Sequence, residues 1–300
     1  MNTLTRRGFF AASAASVAIG MSPRVEAAEG RPSVCAFAKH LQFITDYGEL
    51  ARTAKDLGLD GLDLAVRKGG HVEPASVTVD LPRAVDAIRS VGLEVPMITT
   101  ALNRGDDPDA RPILETASKL GIRYARIGGL QYSNDGDIRA ELDAFTRQIG
   151  GLVDLLAACH IVGGYHNHSG GNNVGAPLWD LYEMIRAVDS THFGSNLDVG
   201  HATVEGGSAG WRLNARLLAP YVKMMAVKDF VWDNGKPRWL PLGEGQVQTV
   251  EFFRLVRAAG FAGPVSLHVE YRVESDEVML KEIRAGADRI RAYLREAGYA

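Results

Sequence analysis

Cysteine is scarce: the chain of 300 residues has two, Cys35 and Cys159. One pair makes no disulfide framework, and both fall in apolar stretches, so both read as core thiols. Excess positive charge is lacking too. The formal net charge is −3 at pH 7, and the basic N-terminal segment makes the remainder more acidic still. That excludes nucleic acid as an expected partner, because binding phosphates wants a net basic surface. Past the N-terminal segment no apolar run is long enough to span a bilayer. No linker, no internal repeat and no glycine-rich phosphate turn is evident; "AFAKHLQF" stands where such a turn would follow the first strand.

What is present begins at the N-terminus. "TRRGFFAASAASVAIG" pairs Arg6 with Arg7, then Phe9 with Phe10, then runs into small apolar residues. The pattern predicts a twin-arginine export signal over 1–27, cleaved after Ala27. Its apolar run is too short and too alanine-rich for a membrane span. The mature chain is then periplasmic, free of the membrane, and about 270 residues long, which suits a single large domain over 31–300.

Strand and helix signals alternate along that chain. Short apolar runs at 33–38, 61–66, 93–100, 122–128, 161–168, 192–199, 222–230 and 264–271 read as strands. Helical stretches separate them, one opening with Asp80 as cap and Pro82 in its first turn. A long loop follows the seventh strand, and a last helix runs from about Asp276 to Glu296. Eight units in strict alternation predict the α/β class and closure into a single (β/α)8 TIM barrel.

A barrel of this kind carries its active site at the C-terminal ends of the strands. Arg67, His71 and Glu73 follow the second strand, and Asn103 and Arg104 the third. His166 and His168 end the fifth, Asp198 and His201 the sixth, Lys228 and Asp229 the seventh, and His268, Glu270 and Arg272 the eighth. Strand alternation puts His166 with His168 on one face and His268 with Glu270 and Arg272 on one face. Imidazoles and carboxylates from neighbouring strands suit Mn, Co, Fe, Zn or Mg. Plainer roles remain open for several of these residues. A strand-end histidine can be a hydrogen-bonded structural residue, Asp198 can cap the next helix, and Lys228 with Asp229 can be a local ion pair. Glu270 would be costly at the end of an apolar strand without a partner.

The motifs "GLDGLDL", "YHNHSG", "NLDVGHA", "VKDF", "LGEG" and "SLHVEY" resemble those of the xylose isomerase-like barrel superfamily, over essentially the whole mature chain. That resemblance implies a divalent metal held by Glu, Asp, His and Glu from strands five to eight. Asp198 and Glu270 match. His166 stands where the first Glu is usual, and Ala226 where the His is usual. The resemblance therefore implies His166, Asp198, His268 and Glu270 as metal ligands, with His168 an alternative. It also implies sugar isomerase or epimerase chemistry, in which a proton next to a carbonyl is removed. Glu270 is the expected base, Lys228 and His201 assist, and Arg67, His71, His168 and Arg272 hold the substrate. That substrate is a small sugar or glycoside; a homo-oligomer is compatible with this reading. Two rival expectations stand beside it: a 3-keto-glycoside β-elimination lyase, and a periplasmic sugar-binding barrel without catalysis.

Overall fold

The structure, a computed structural model, describes residues 31–300. The expected export signal over 1–27 lies outside the described residues. The strands are β1 (Val34–Phe37), β2 (Gly61–Ala65), β3 (Glu94–Thr99), β4 (Tyr124–Ile127), β5 (Val162–His166), β6 (Phe193–Asp198), β7 (Val222–Val227), β8 (Asp229–Asp233), β9 (Lys236–Leu240) and β10 (Val265–Leu267). All but β8 and β9 pair in parallel around one closed barrel, and β10 returns to β1 through Val265 and Val34. The helices are α1 (Tyr47–Asp56), α2 (Val77–Ser90), α3 (Ala110–Lys119), α4 (Ile138–Ala158), α5 (Trp179–Val188), α6 (Val199–Gly206), α7 (Gly210–Leu218), α8 (Thr249–Ala258) and α9 (Asp276–Glu296). The alternation thus closes into a single (β/α)8 TIM barrel. No described helix is long and apolar enough to cross a membrane.

A parallel barrel is covered on both faces, which is why β1, β2 and β6 are buried at every residue. Outward residues such as Leu62, Leu64, Ile98 and Leu197 join the large core beneath the helices. Each such side chain contributes about 1.5–3 kcal/mol on burial. Inside the barrel, Cys35, Met97 and Met224 form a separate small apolar layer beside Tyr124. Both cysteines are free and buried. Close packing here requires a glycine at 164: a Cβ would lie 2.1 Å from Met224 Cε and 3.0 Å from Asn196 Cβ. Gly164 therefore faces inward, and alternation carries His166 inward one step higher. Polar groups also enter the interior. Asp63 is fully buried and accepts from Thr99 Oγ1 at 2.7 Å and Ser266 Oγ at 2.9 Å.

Four details depart from the sequence expectation. Helix α2 starts at Val77, so Asp80 lies in its first turn and Pro82 falls inside it. The loop after the seventh strand contains an antiparallel hairpin, β8–β9, turned on Asn234 and Gly235 with φ of 50° and 75°. An extra helix, α6, begins directly at the end of β6. Lastly, β10 ends at Leu267, short of the run to Tyr271.

Candidate active site

The C-terminal mouth of the barrel gathers the polar residues that the strands deliver. His166 ends β5 and Asp198 ends β6, both buried. Asp198 does two things at once. Its Oδ1 accepts from His201 N at 2.8 Å and so caps α6. Its Oδ2 faces the mouth, 3.0 Å from Lys228 Nζ and 3.5 Å from His166 Nε2. Asn167, on the other face of β5, braces this corner from behind: it donates to Asp198 O and accepts from Asp198 N.

Lys228 is almost fully buried, just past β7. Besides Asp198 it meets His201 Nε2 at 2.7 Å and lies 4.5 Å from the centroid of the Trp239 ring. An ammonium can only donate, so His201 Nε2 is the acceptor and the ring proton sits on Nδ1. Nδ1 then donates to Ser169 Oγ at 2.8 Å. The result is a fixed chain of Asp198, Lys228, His201 and Ser169. Asp229, the next residue, is no partner of Lys228. Its carboxylate accepts from the backbone N–H groups of Phe230, Gly243, Gly245 and Val247, so it shapes the loop after the hairpin.

The other side of the mouth is aromatic and imidazole-rich. His268 stacks between Phe37, at 5.0 Å, and His166, at 5.6 Å. His168 lies 4.5 Å from His166 and 4.8 Å from His201, centroid to centroid. Glu270 Oε1 approaches His268 Nδ1 to 3.6 Å, too long for a hydrogen bond. His40 holds the chain here: its Nε2 accepts from Val269 N at 3.0 Å.

Burial keeps these imidazoles neutral. It lowers His268 and His168 to about 4, with Glu270 opposing the shift at His268 and His201 adding to it at His168. His166 and His201 are lowered further, by burial and then by Arg126 and Lys228 respectively. Glu270 moves the other way from what desolvation alone would give. His268 first, then Lys228, hold its carboxyl well below the usual range against the effect of burial. It is therefore ionised at neutral pH.

His166, Asp198 and His268 offer donor atoms that all lie within 4.8 Å of one another. Both ring nitrogens of His268 and Nδ1 of His166 are buried without a hydrogen-bond partner, and Asp198 Oδ2 is met only by the Lys228 ammonium and the His166 ring. A carboxylate oxygen and buried imidazole nitrogens without hydrogen-bond partners, converging on one point, are donors of the kind a divalent cation takes, so these residues fit one beside the Lys228 ammonium. His166, His168 and His201 form a second such group, but both nitrogens of His201 are already engaged.

His166, His168, Asp198, His201, Lys228, His268 and Glu270 thus converge, and Arg67 reaches the same mouth above the Phe37 ring. His71 and Arg272 do not join them. His71 is tied to Leu41 O at 3.3 Å in the loop after β2. Arg272 is exposed, because the extended pairing of β10 ends before it and alternation no longer applies. Asn103 serves Gln148, and Arg104 pairs with Asp106. Arg126, Phe37, His40 and Trp239 belong to the site and were missed. The rule that found His166 would have found Arg126, which lies two residues after the inward Tyr124 on β4.

Fold and mouth together define a (β/α)8 barrel whose strand ends carry a cation-ready polar site. The chain belongs to the xylose isomerase-like TIM barrel family, whose model matches residues 51–296. No curated protein matches the chain. Among solved structures, it is similar to D-psicose 3-epimerase with D-tagatose from Clostridium cellulolyticum H10, at 14% identity and TM-score 0.69, covering 87% of this chain and 99% of that one. It is similar to apo 3-keto-D-glucoside 4-epimerase from E. coli, at 15% identity and TM-score 0.63, covering 88% and 99%. A xylose isomerase-like barrel protein from Mycobacterium smegmatis in complex with magnesium is similar at 18% identity and TM-score 0.61, covering 83% and 89%. At these identities the likeness is one of fold.

Proposed function

We propose that this protein is an isomerase- or epimerase-like enzyme that removes a proton next to the carbonyl of a sugar or keto-sugar. The observation that carries this reading is an ionised Glu270 and a buried, Asp198-bound Lys228 facing one mouth, beside the converging donor atoms of His166, Asp198 and His268. The epimerases of the same fold agree with it.

In the proposed reaction the Glu270 carboxylate takes the proton from the carbon beside the carbonyl. The C–H electron pair becomes the new C=C bond, and the carbonyl π pair moves onto oxygen. The buried Lys228 ammonium, with the Trp239 ring over it, is the cation available to stabilise that oxyanion. Return of the proton by Glu270 to the neighbouring carbon, with loss of that position's hydroxyl proton as the carbonyl re-forms there, gives an isomer; protonation of the original carbon on its opposite face, by water or another acid reaching that face, gives an epimer. His168 holds a hydroxyl group of the substrate, and His201 positions Lys228. His166, Asp198 and His268 would hold a divalent metal, with Glu270 beside them. Two imidazoles and one carboxylate favour Mn, Fe, Co or Zn over Mg. Such an ion would polarise the substrate oxygens.

A second reading, a sugar-binding barrel without catalysis, is favoured by one observation. Ala226 pairs in register with Asp198 and Ser266 at the inward position where the family resemblance leads one to look for a ligand. Incubation in deuterated water with keto-hexoses, keto-uronates and 3-keto-glycosides separates the two. The enzyme introduces deuterium at the carbon next to the carbonyl; absence of label across all three classes supports the binder. Loss of the neighbouring glycosidic oxygen from a 3-keto-glycoside would mark the lyase.

A further inference from the structure

We propose that the substrate of this site carries a carboxylate, held between the guanidinium groups of Arg67 and Arg126. The inference rests on the mouth being the sugar site and narrows its substrate to a sugar acid. Arg67 Cζ lies 5.4 Å, and Arg126 Cζ 5.6 Å, from the centroid of the same Phe37 ring. That ring stacks on His268, which stacks on His166. Both guanidinium groups therefore border the proposed reaction centre.

Neither group is hydrogen-bonded or ion-paired to a protein group among the described residues. Some surface arginines do find a carboxylate, as Arg31 finds Asp60, Arg212 finds Glu251 and Arg254 finds Glu296, whereas Arg126 is largely removed from water without one. At the mouth the nearby carboxylates are committed elsewhere. Asp198 faces Lys228, Glu270 faces His268, and the two oxygens of Asp63 accept hydroxyl hydrogens from below. Two like charges over one ring repel each other, and burial works against the Arg126 charge in particular. Asp63 offsets part of this from a distance, without an ion pair. A planar oxyanion between the two forks would supply the missing acceptors and relieve the repulsion.

A carboxylate fits better than a phosphoryl group. Phosphate sites in such folds draw on free backbone N–H groups at a helix N-terminus. The helix that begins directly at the end of a site strand, α6, has one of its N-terminal N–H groups taken by Asp198. What remains is a pair of side-chain forks, which suits a carboxylate.

The test is calorimetric titration of the full protein with D-glucuronate and D-galacturonate, against D-glucose and D-galactose. The hexuronates should bind at least about 10-fold tighter than the neutral hexoses. Arg126→Gln and Arg67→Gln should each weaken hexuronate binding by about 10- to 100-fold and weaken hexose binding by a clearly smaller factor. Arg126→Lys, which keeps the charge and loses the fork, should recover only part of that loss. Arg67 lies in a loop, so its variant tests the idea even if Arg126→Gln fails to fold. Equal affinity for hexose and hexuronate, no hexuronate binding, or hexuronate binding that survives both substitutions would overturn the proposal. Tighter binding of inorganic phosphate or glucose 6-phosphate at the same arginines would overturn the choice of carboxylate. Hexuronate binding without deuterium exchange on keto-uronates would count against the proposed chemistry alone. Exchange on neutral ketoses with no preference for acids would count against this proposal alone.

Discussion

Single residues set the chemistry of this mouth. Lys228 is the clearest case, a buried ammonium held by Asp198, His201 and the face of Trp239. Replacing it with methionine leaves Asp198 Oδ2 buried with no cation. Lys228→Met should therefore cost about 3–5 kcal/mol in the metal-free protein, measured by urea denaturation. A loss below about 1 kcal/mol would mean that the pair adds little. Asp198→Ala should eliminate bound divalent metal, read by elemental analysis of protein purified without chelator; stoichiometric metal in that variant would remove the proposed ligand set. Much of the site was legible at this scale, because alternation of side chains on a strand does not depend on the rest of the fold. It aimed His166 inward and His268 toward it. It failed at Arg272 because pairing had stopped at Leu267, and strand length is decided by neighbouring strands. The direction of the Glu270 shift was not legible either, since it turns on how near His268 and Lys228 come in space.

The elements explain why the site lies where it does. Gly164 leaves room for Met224 inside the barrel, and β5 then delivers His166 above that layer. Asp198 caps helix α6, so one carboxylate both starts a helix and aims into the mouth. The eight barrel strands were legible as apolar runs of the right length. The β8–β9 hairpin was not found, although its signal is in the sequence: "DNGK" is a two-residue turn of the kind that favours Asn-Gly at positive φ. Its strands are half-exposed and irregular in composition, which hid them. The hairpin brings Trp239 over Lys228 and His201. The chain returns from it under the control of Asp229, which accepts four backbone N–H groups. Asp229→Ala removes all four acceptor contacts at once. It should lower stability by about 3 kcal/mol or more and raise amide exchange across 243–247. Unchanged exchange there would show that the loop holds without it.

The molecule as a whole should weaken in acid, and His40 shows the sign. Burial lowers its folded pKa from 6.5 to about 4, with Glu270 opposing and Lys39 and Lys228 adding to the shift. Between those values the unfolded chain binds the proton and the folded chain does not. The contribution is therefore fully present above pH 6.5 and lost as pH falls toward 4, and amounts to about 3 kcal/mol at most. His168 and His268 act in the same direction. Asp63 acts in the opposite one, because burial raises its carboxyl to about 6 and protonation there favours the fold. Burial raises the Asp180 carboxyl too, but the lowered imidazoles outnumber these two carboxyls, so stability should fall from pH 6.5 to 4, and His40→Gln should flatten the slope. A flat or rising profile over that window would contradict the burial reading. The whole account turns on a barrel mouth that moves a carbon-bound proton. Glu270→Gln keeps the shape of the side chain and removes its basicity. The most direct measurement compares solvent deuterium uptake at the carbon next to the carbonyl of a bound keto-sugar, in wild type and in this variant. The account predicts uptake by wild type and a loss of about 10² to 10⁴ in rate for Glu270→Gln, with binding retained; uptake by the variant at near wild-type rate would contradict it.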